Sequence, residues 1–598
     1  MEIKMCGIFG YFSSDFSQIS SEIVKSMGDV INYRGPDGQG IYYGNGLALG
    51  NQRLAIIDLQ NGNQPFISED NSIVVVQNGE IFNHIELAKE LEDSDFYCRT
   101  HSDTEVILRL YQKHGIGFIH KLNGMFSIAI YDKNLDKLFL IRDRVGEKPL
   151  YFYNKNNTLL FSSEIKSILK NNIEKDVNIN ALDSYLTFNY VTPPLTLFKD
   201  IYHVMPGTYL DITRNNISEH AWWSIENNTE LNKTEDEWIT EFNGILDDAV
   251  RIRLRSDVPF GAFLSGGVDS STIVGYMSQH LQIPVKTFSI GFQDPKYDES
   301  IFAQEAADRF HTDHYSEKVE ANLLSLWNKA IYHCDQPHGD VSFMPTLRVA
   351  ELASKKVKMV LTGDGADELF AGYDKYKEFI SSSSDTVSDD VFFSEYYSKI
   401  SLFREEDREK LYTKALNKII SKNKTKEIFN NVLSKVENLD RINRMLFIDT
   451  YLLLSGNNLV KPDRMGMAVS IENRAPFLDY RMIEYAFSMP GELKLHKNET
   501  KYIYKKAVKD LIGSNLAYRK KQMFTVPIGE WLKSDLKPLV NELLFSKTTE
   551  NRNLFNYSHI KDMYDKHCSN EKNYTREIRA LMALEIWFRE FIPEYTHV

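Results

Sequence analysis

Three places in this chain of 598 residues put reactive side chains at spacings that could do chemistry. The first is Cys6, in the run Met5–Cys6–Gly7–Ile8–Phe9–Gly10. A lone cysteine is ordinarily a small buried hydrophobe. Directly after a methionine near the start of the chain it has a second use, because removing that methionine frees an α-amine that can serve the thiol as its base. Five further residues suit attack on a carboxamide. Arg53 could fork onto a substrate carboxylate. Asn78 and Gly79 offer a side-chain amide and an unhindered backbone N–H, the donors of an oxyanion hole. Glu80 and Asp103 offer carboxylates for a substrate ammonium. Singly each is weak, since Asn-Gly-Glu also reads as a plain turn; their weight lies in occurring together.

The second place is Ser265–Gly266–Gly267–Val268–Asp269–Ser270–Ser271. Two glycines let backbone approach phosphate oxygens, the start of a following helix favours their charge, and the serines add hydroxyl donors. It lacks the lysine of the GxxxxGK[ST] phosphate loop. The third is Leu361–Thr362–Gly363–Asp364–Gly365–Ala366–Asp367–Glu368. Acidic side chains crowded in a glycine-rich turn repel one another unless a cation joins them. Mg2+ favours carboxylates combined with substrate phosphates, which pairs Asp269 with Asp367 as expected ligands. The plainer reading of this turn is a solvated acidic loop.

These residues need elements to hold them. The first ~200 residues read as strand-rich by pattern, for example Ile73–Gln77, Met125–Tyr131, Lys137–Ile141 and Thr158–Ser162, with helical spacing at Asp103–His114. From about Glu235 the rhythm changes. A helix (Trp238–Arg255), a buried strand (Pro259–Leu264), a helix (Ser270–His280) and two more strands (Val285–Ile290 and Lys358–Leu361) alternate as a parallel sheet with crossovers does. Roughly 370–598 reads as mainly helical. The spacing predicts one domain over 6–205, a linker over 206–235 and a second domain over 236–598. The polar run Ser381–Asp390 predicts a surface loop.

In order along the chain, MCGIFG (5–10), YRGPD (33–37), RLAIIDL (53–59), NGEIFNH (78–84), SDTEVI (102–107), GMFSIAIYD (124–132) and RDRVGEKPLY (142–151) resemble the class II, N-terminal-nucleophile glutamine amidotransferases. That resemblance implies a four-layer αββα sandwich in which Cys6 attacks glutamine and Asn78 and Gly79 hold the oxyanion. It implies that Arg53 binds the α-carboxylate, Glu80 and Asp103 the α-amino group, and that Leu54, Ala55, Ile56 and Ile57 complete the pocket. The strand–SGGVDSS–helix passage resembles the ATP-pyrophosphatase enzymes, which cleave ATP between its α- and β-phosphates. DRM (463–465), ENRAPFLD (472–479), Lys501 in ETKYIYKKAV, and Arg519–Lys520–Lys521–Gln522 with Phe524 and Pro527 extend the likeness to the glutamine-hydrolysing asparagine synthetase family. By that likeness Leu264 and Ile290 lie at the nucleotide base. Ser265, Gly266, Gly267, Asp269, Ser270, Thr362 and Gly363 contact ATP, and Lys501 stabilises charge in adenylation. Asp364, where relatives often carry glutamate, serves adenylate formation and amination. Without the resemblance, Lys501 reads as an ordinary helix lysine.

In the amidotransferases the nucleophile is the first residue of the mature chain, whereas Met-Glu-Ile-Lys precedes Met5 here. Translation from Met5, cleavage of a short leader, or a dead glutaminase each account for this, and the otherwise complete pocket favours the first. The acceptor pocket is assembled by folding, so aspartate stands beside the carboxylates of cell-surface sugars or peptides as expected acceptors, with an inactive regulatory protein as a third reading. The lactam-forming relatives lack the cysteine. A formal net charge of -13 argues against nucleic acid as a partner. No apolar run reaches the ~18 residues of a membrane helix, and the start lacks a secretory signal. Cys6, Cys98, Cys334 and Cys568 show neither disulfide nor zinc spacing. The expectation is a cytoplasmic enzyme of small-molecule substrates (glutamine, aspartate and ATP with Mg2+), forming a homodimer as the family does.

Overall fold

The computed structural model describes residues 6–35, 37–225, 229–293, 298–319, 323–384, 386–420, 424–519 and 528–597. Met5, Pro36, Lys520, Lys521, Gln522, Phe524 and Pro527, all named above, lie outside them.

Near-continuous apolar strands shape the N-terminal half. In Ile73–Ile81, Val74 and Val76 point into one core while Ile73 and Val75 point into another. Gly124–Asp132 and Lys137–Arg142 divide their side chains the same way. A period of two with both faces apolar is what a strand buried on both sides requires. Two six-stranded antiparallel sheets result. One is centred on Gly7–Ser13 and Thr158–Ser162, the other on Gly124–Asp132 and Lys137–Arg142. They pack face to face through Ile8, Phe12, Leu49, Val76 and Leu140. Helices Ser21–Asp29 and Ile179–Phe188 cover the outer face of the first sheet; His84–Leu91 and Asp103–His114 cover that of the second. This is the expected αββα sandwich.

The sandwich runs further than the sequence suggested. Thr208–Ile212 pairs with Lys137–Arg142, and Ile217–Ala221 pairs with Thr208–Ile212. Residues 208–221 of the expected linker 206–235 therefore form an edge hairpin, its polar outer face having disguised it. Helix Glu235–Arg253 then opens with a capping box, Thr234 and Glu237 each closing on the other's backbone N–H.

The C-terminal half carries a five-stranded parallel sheet in the order Asp313–Val319, Lys286–Phe292, Phe260–Phe263, Met359–Leu361, Glu472–Arg474. From Phe260–Phe263 the chain first builds to one side and then returns to the other. The gap between Phe260–Phe263 and Met359–Leu361 is a topological switch point, where parallel sheets bind ligands at the strands' carboxyl ends. The rest is mainly helical, as expected, with one short hairpin of Leu495–His496 and Glu499–Thr500. Ser381–Asp390 is not wholly loop: Ser381 and Ser382 finish the helix Asp374–Ser382, and Ser388 caps the helix Asp389–Ile400.

The C-terminal helices return to the sandwich. Thr575–Phe591 receives the Tyr185 hydroxyl at Ala580 O (2.7 Å), and Phe198 packs on Trp587. Asp183, on a sandwich helix, accepts from Arg408 Nε, Tyr412 Oη and Thr425 Oγ1, each at 2.8 Å and each buried. Removing one partner of a buried ion pair strands the other's charge. Asp183→Ala is expected to destabilise the chain by about 3–5 kcal/mol in chemical denaturation; a loss within experimental error would show that this contact does not join the halves.

Candidate functional site

Cys6 stands at the head of the central strand Gly7–Ser13. Its Sγ accepts from Leu54 N at 3.3 Å, and its carbonyl accepts from Arg34 Nε at 3.1 Å. Around the thiol pack Leu54, Ile56, Ile57, Val258 and Met467, none of them titratable. Burial, together with the nearby Glu80 and Glu472 carboxylates, pushes the thiol up to about 12. Such a thiol needs a base before it can act as a nucleophile. Ala55 N donates to Asp37 Oδ2 (3.0 Å), fixing the loop beside it.

Ser163 Oγ ties Asn78, one of the expected oxyanion donors, to this strand, accepting from Ile8 N (3.0 Å) and Asn78 Nδ2 (3.2 Å). Asn78 Oδ1 is buried without a partner. Turned end for end, the carboxamide puts Oδ1 on the Ser127 and Ser163 hydroxyls and leaves Nδ2 as the free donor that an oxyanion requires. Gly79 has φ +124°, and a Cβ there would meet Met125 O at 2.0 Å, so only glycine fits. Asp103 accepts from Gln77 Nε2 (2.9 Å) and Ile81 N (3.0 Å). Glu80 Oε2 is buried and unpartnered. Burial, then Asp103 and Glu472, push the Glu80 carboxyl well above the usual range. Two acidic groups this close, one with an unpartnered oxygen, form a pocket that an incoming ammonium would suit.

Arg53 is placed differently from the expectation of a free fork. Its Nη1 donates to Asn63 Oδ1 (2.8 Å) and Leu59 O (3.3 Å), and its Nη2 to Asp58 O (2.7 Å) and Ile57 O (3.4 Å). The fork holds the loop 57–63, and a substrate carboxylate would have to share or displace those bonds. The sequence also gave no sign that Glu472 and Arg474 belong here. Arg474 Nη2 approaches Glu80 Oε1 at 3.7 Å from the parallel sheet of the other half. The same strand links back to the second site, since Arg474 O accepts from Thr362 N at 2.9 Å.

The second site occupies the switch point. A cavity of about 800 Å3 is walled by Ser265, Gly267, Asp269 and Ser270 from one turn, and by Thr362, Gly363, Asp364 and Asp367 from the other. Leu264 and Ile290 line an adjoining apolar cavity of about 240 Å3 with Phe263, Phe288 and Val349, a shape suited to a planar base beside a polar phosphate cradle. Gly266 shapes the turn: its φ is +71°, and a Cβ would lie 2.2 Å from Phe302 C. Gly363 lets the two turns meet, because a Cβ there would reach Asp269 Cβ at 2.6 Å.

Lys501 binds the turns together. Its Nζ lies 2.5 and 2.7 Å from the Asp269 carboxylate oxygens and 2.7 Å from Asp367 Oδ1. Burial opposes its charge, but the two carboxylates outweigh burial and push it up to about 12. Two carboxylates converging on one cation at the wall of that cavity form a donor set that fits Mg2+, with substrate phosphates completing the shell. Among the described residues no group of three or more His, Cys, Asp or Glu could hold a metal alone. Asp364 Oδ2 accepts from Thr362 Oγ1 (2.7 Å). Burial raises its carboxyl, Lys461 and that hydroxyl oppose the rise, and Asp269 and Asp367 add to it. Lys461 was missed in the sequence; its one signal was adjacency to Pro462–Asp463–Arg464.

Between the sites a cavity of about 20 Å3 is lined by Glu147 and Lys148 from the sandwich and by Thr362, Asp364, Asp463 and Asn473 from the second half.

Residues 5–223 match the glutamine amidotransferase domain, and residues 241–589, more than half the chain, match asparagine synthase. The class is thus a glutaminase fused to an amide-forming synthetase, and the chain is a glutamine-dependent amide ligase. It belongs to the asparagine synthase family. It is 31% identical to the glutamine-hydrolysing asparagine synthetase 1 of Bacillus subtilis, over 99% of this chain and 98% of that one. It is 29% identical to asparagine synthetase 3 of the same organism (89% and 90%) and 28% identical to the amidase chry2 of Gibberella zeae (94% and 95%). No helix among the described residues is long and apolar enough to cross a membrane.

Burial, with Asp143, pushes the Glu147 carboxyl up from 4.5 to about 8, against the pull of Arg253 and Lys148. The folded state therefore keeps a proton that the unfolded state releases, a contribution complete below the unfolded value and lost as pH rises through about 8. Glu147→Gln removes that dependence. Its melting temperature is expected to exceed the parent's above about pH 8, with the gap closing toward about pH 5; a gap that widens on acidification would reverse the assignment.

Proposed function

We propose that this enzyme makes asparagine: aspartate, glutamine, ATP and water give asparagine, glutamate, AMP and diphosphate. The observation that carries the reading is Asp269 and Asp367 converging on one cation at the switch point, in a family member whose other half presents a nucleophile position with unfilled oxyanion and ammonium partners.

In the glutaminase, the Cys6 sulfur attacks the glutamine carboxamide carbon, Asn78 and Gly79 stabilise the oxyanion, and ammonia leaves. Water then hydrolyses the thioester to glutamate. Glu80 and Asp103 take the substrate ammonium, and Leu54 to Ile57 wall the pocket. The base is the α-amine of a chain processed to begin at Cys6. In the synthetase, the aspartate β-carboxylate attacks the α-phosphorus of ATP and diphosphate leaves; ammonia attacks the resulting acyl carbon and AMP leaves. Asp269 and Asp367 would hold Mg2+, which neutralises phosphate charge when bound. Lys501 lends its charge to the α-phosphate, and Asp364 accepts the proton shed by the attacking nitrogen. Ammonia must travel unprotonated, and the small cavity joining Lys148 to Asp364 lies where such a path would run.

A second acceptor has one argument: an amidase relative is matched over 94% of this chain. Diphosphate release measured across aspartate, peptide and amino-sugar carboxylates decides between them, and no response to aspartate rejects the first.

Cys6→Ala is expected to abolish glutamine-dependent synthesis and spare synthesis from ammonium salts. Loss of both would contradict the division of labour. Lys501→Met is expected to lower diphosphate release about 10²–10³-fold. Intact mass and N-terminal sequencing of protein from its native host should find Cys6 first; an active glutaminase with residues 1–5 still attached would rule out the amine as base.

A further inference from the structure

The carbonyl of Cys6 is held by a side chain whose orientation is set from the other half of the chain. Arg34 is fully buried. Its Nε donates to Cys6 O at 3.1 Å, while Nη1 and Nη2 form a fork onto Asp463 Oδ2 and Oδ1 at 2.9 and 3.1 Å. A guanidinium is rigid and planar, so a carboxylate gripping both Nη atoms also fixes the direction of Nε–H. Glu164 accepts from Nη1 as well (2.8 Å), but from a single oxygen, which leaves the plane free to turn. The stem of Arg34 lies close under Gly7, where a Cβ would come within 3.3 Å of Arg34 Cδ.

We propose that Asp463, a synthetase residue, is a positioning residue of the glutaminase: by orienting Arg34 it places the Cys6 backbone, and with it the nucleophile. This rests on the reading of Cys6 as the nucleophile. Asp463 lies on helix Val460–Met467, directly after Lys461 and Pro462, which line the nucleotide cavity. The helix that borders the ATP site therefore also grips the arginine behind the thiol.

The interface contains its own control. Asp335 pairs with Lys166 at 2.8 Å and accepts from Ile165 N at 2.8 Å, joining the same halves without touching Arg34. The test compares parent, Asp463→Asn and Asp335→Asn in glutamate release from glutamine, ammonia-driven diphosphate release and melting temperature. Asp463→Asn is expected to lower the glutaminase kcat about tenfold to a hundredfold, as a displaced nucleophile does, with KM for glutamine and the ammonia-driven rate within about threefold. Asp335→Asn is expected to keep glutaminase kcat within about threefold even where it costs more thermal stability. Should Asp463→Asn not fold, Arg34→Lys keeps the charge but lacks the Nε–H, and the same selective loss of kcat is expected. Parental kcat in the altered chain, or losses in both variants that merely track melting temperature, overturn the proposal. A parent without Cys6-dependent glutamate release overturns the nucleophile reading itself, and the positioning role with it.

Discussion

Arg34, Glu164 and Lys166 of the sandwich meet Asp335, Asp463 and Arg464 of the second half in a layer where every side chain is at most 4% exposed. Taking such charges out of water costs several kcal/mol per ion, returned only when geometry and extra hydrogen bonds are good. Here each charge touches more than one opposite partner: Glu164 meets Arg34, Arg464 and Lys166, and Asp335 meets Lys166 and Arg464. The layer is stable only when the halves are docked. Parting them leaves unpaired charge on both faces, so the two chemistries sit in one fixed frame.

That frame explains why the glutaminase pocket is not made by the sandwich alone. Strand Glu472–Arg474 closes the parallel sheet beside Met359–Leu361, and its side chains reach Glu80. The turn after Met359–Leu361 carries Thr362, Gly363 and Asp364. One hydrogen bond, Thr362 N to Arg474 O, separates the turn that walls the switch-point cavity from the strand beside Glu80. Lys501 plays the matching part inside the synthetase: without it, Asp269 and Asp367 would repel across the switch point.

What the sequence made legible was local. The two glycine-rich turns declare themselves because their glycines meet a steric demand set by the next few residues and one partner, as at Gly266 and Gly363. The strands of both sheets show because their period is short. What it hid is long-range. Arg53 looked like a free cation until folding wrapped its loop carbonyls around the fork. The hairpin over 208–221 read as linker because an edge strand with a wet face lacks the apolar run of its neighbours. Arg34 and Asp463 are separated by 429 positions in the chain, and no spacing rule joins them.

The proposed function requires nitrogen to pass between two sites held in register without equilibrating with solvent. The direct measurement supplies the acceptor, ATP, unlabelled glutamine and nitrogen-15 ammonium, the last at a level where ammonium alone supports little synthesis, and reads the product amide by mass spectrometry. An unlabelled amide is expected. Label appearing in proportion to its share of the free ammonia would contradict it and reduce the docked halves to two independent enzymes on one chain.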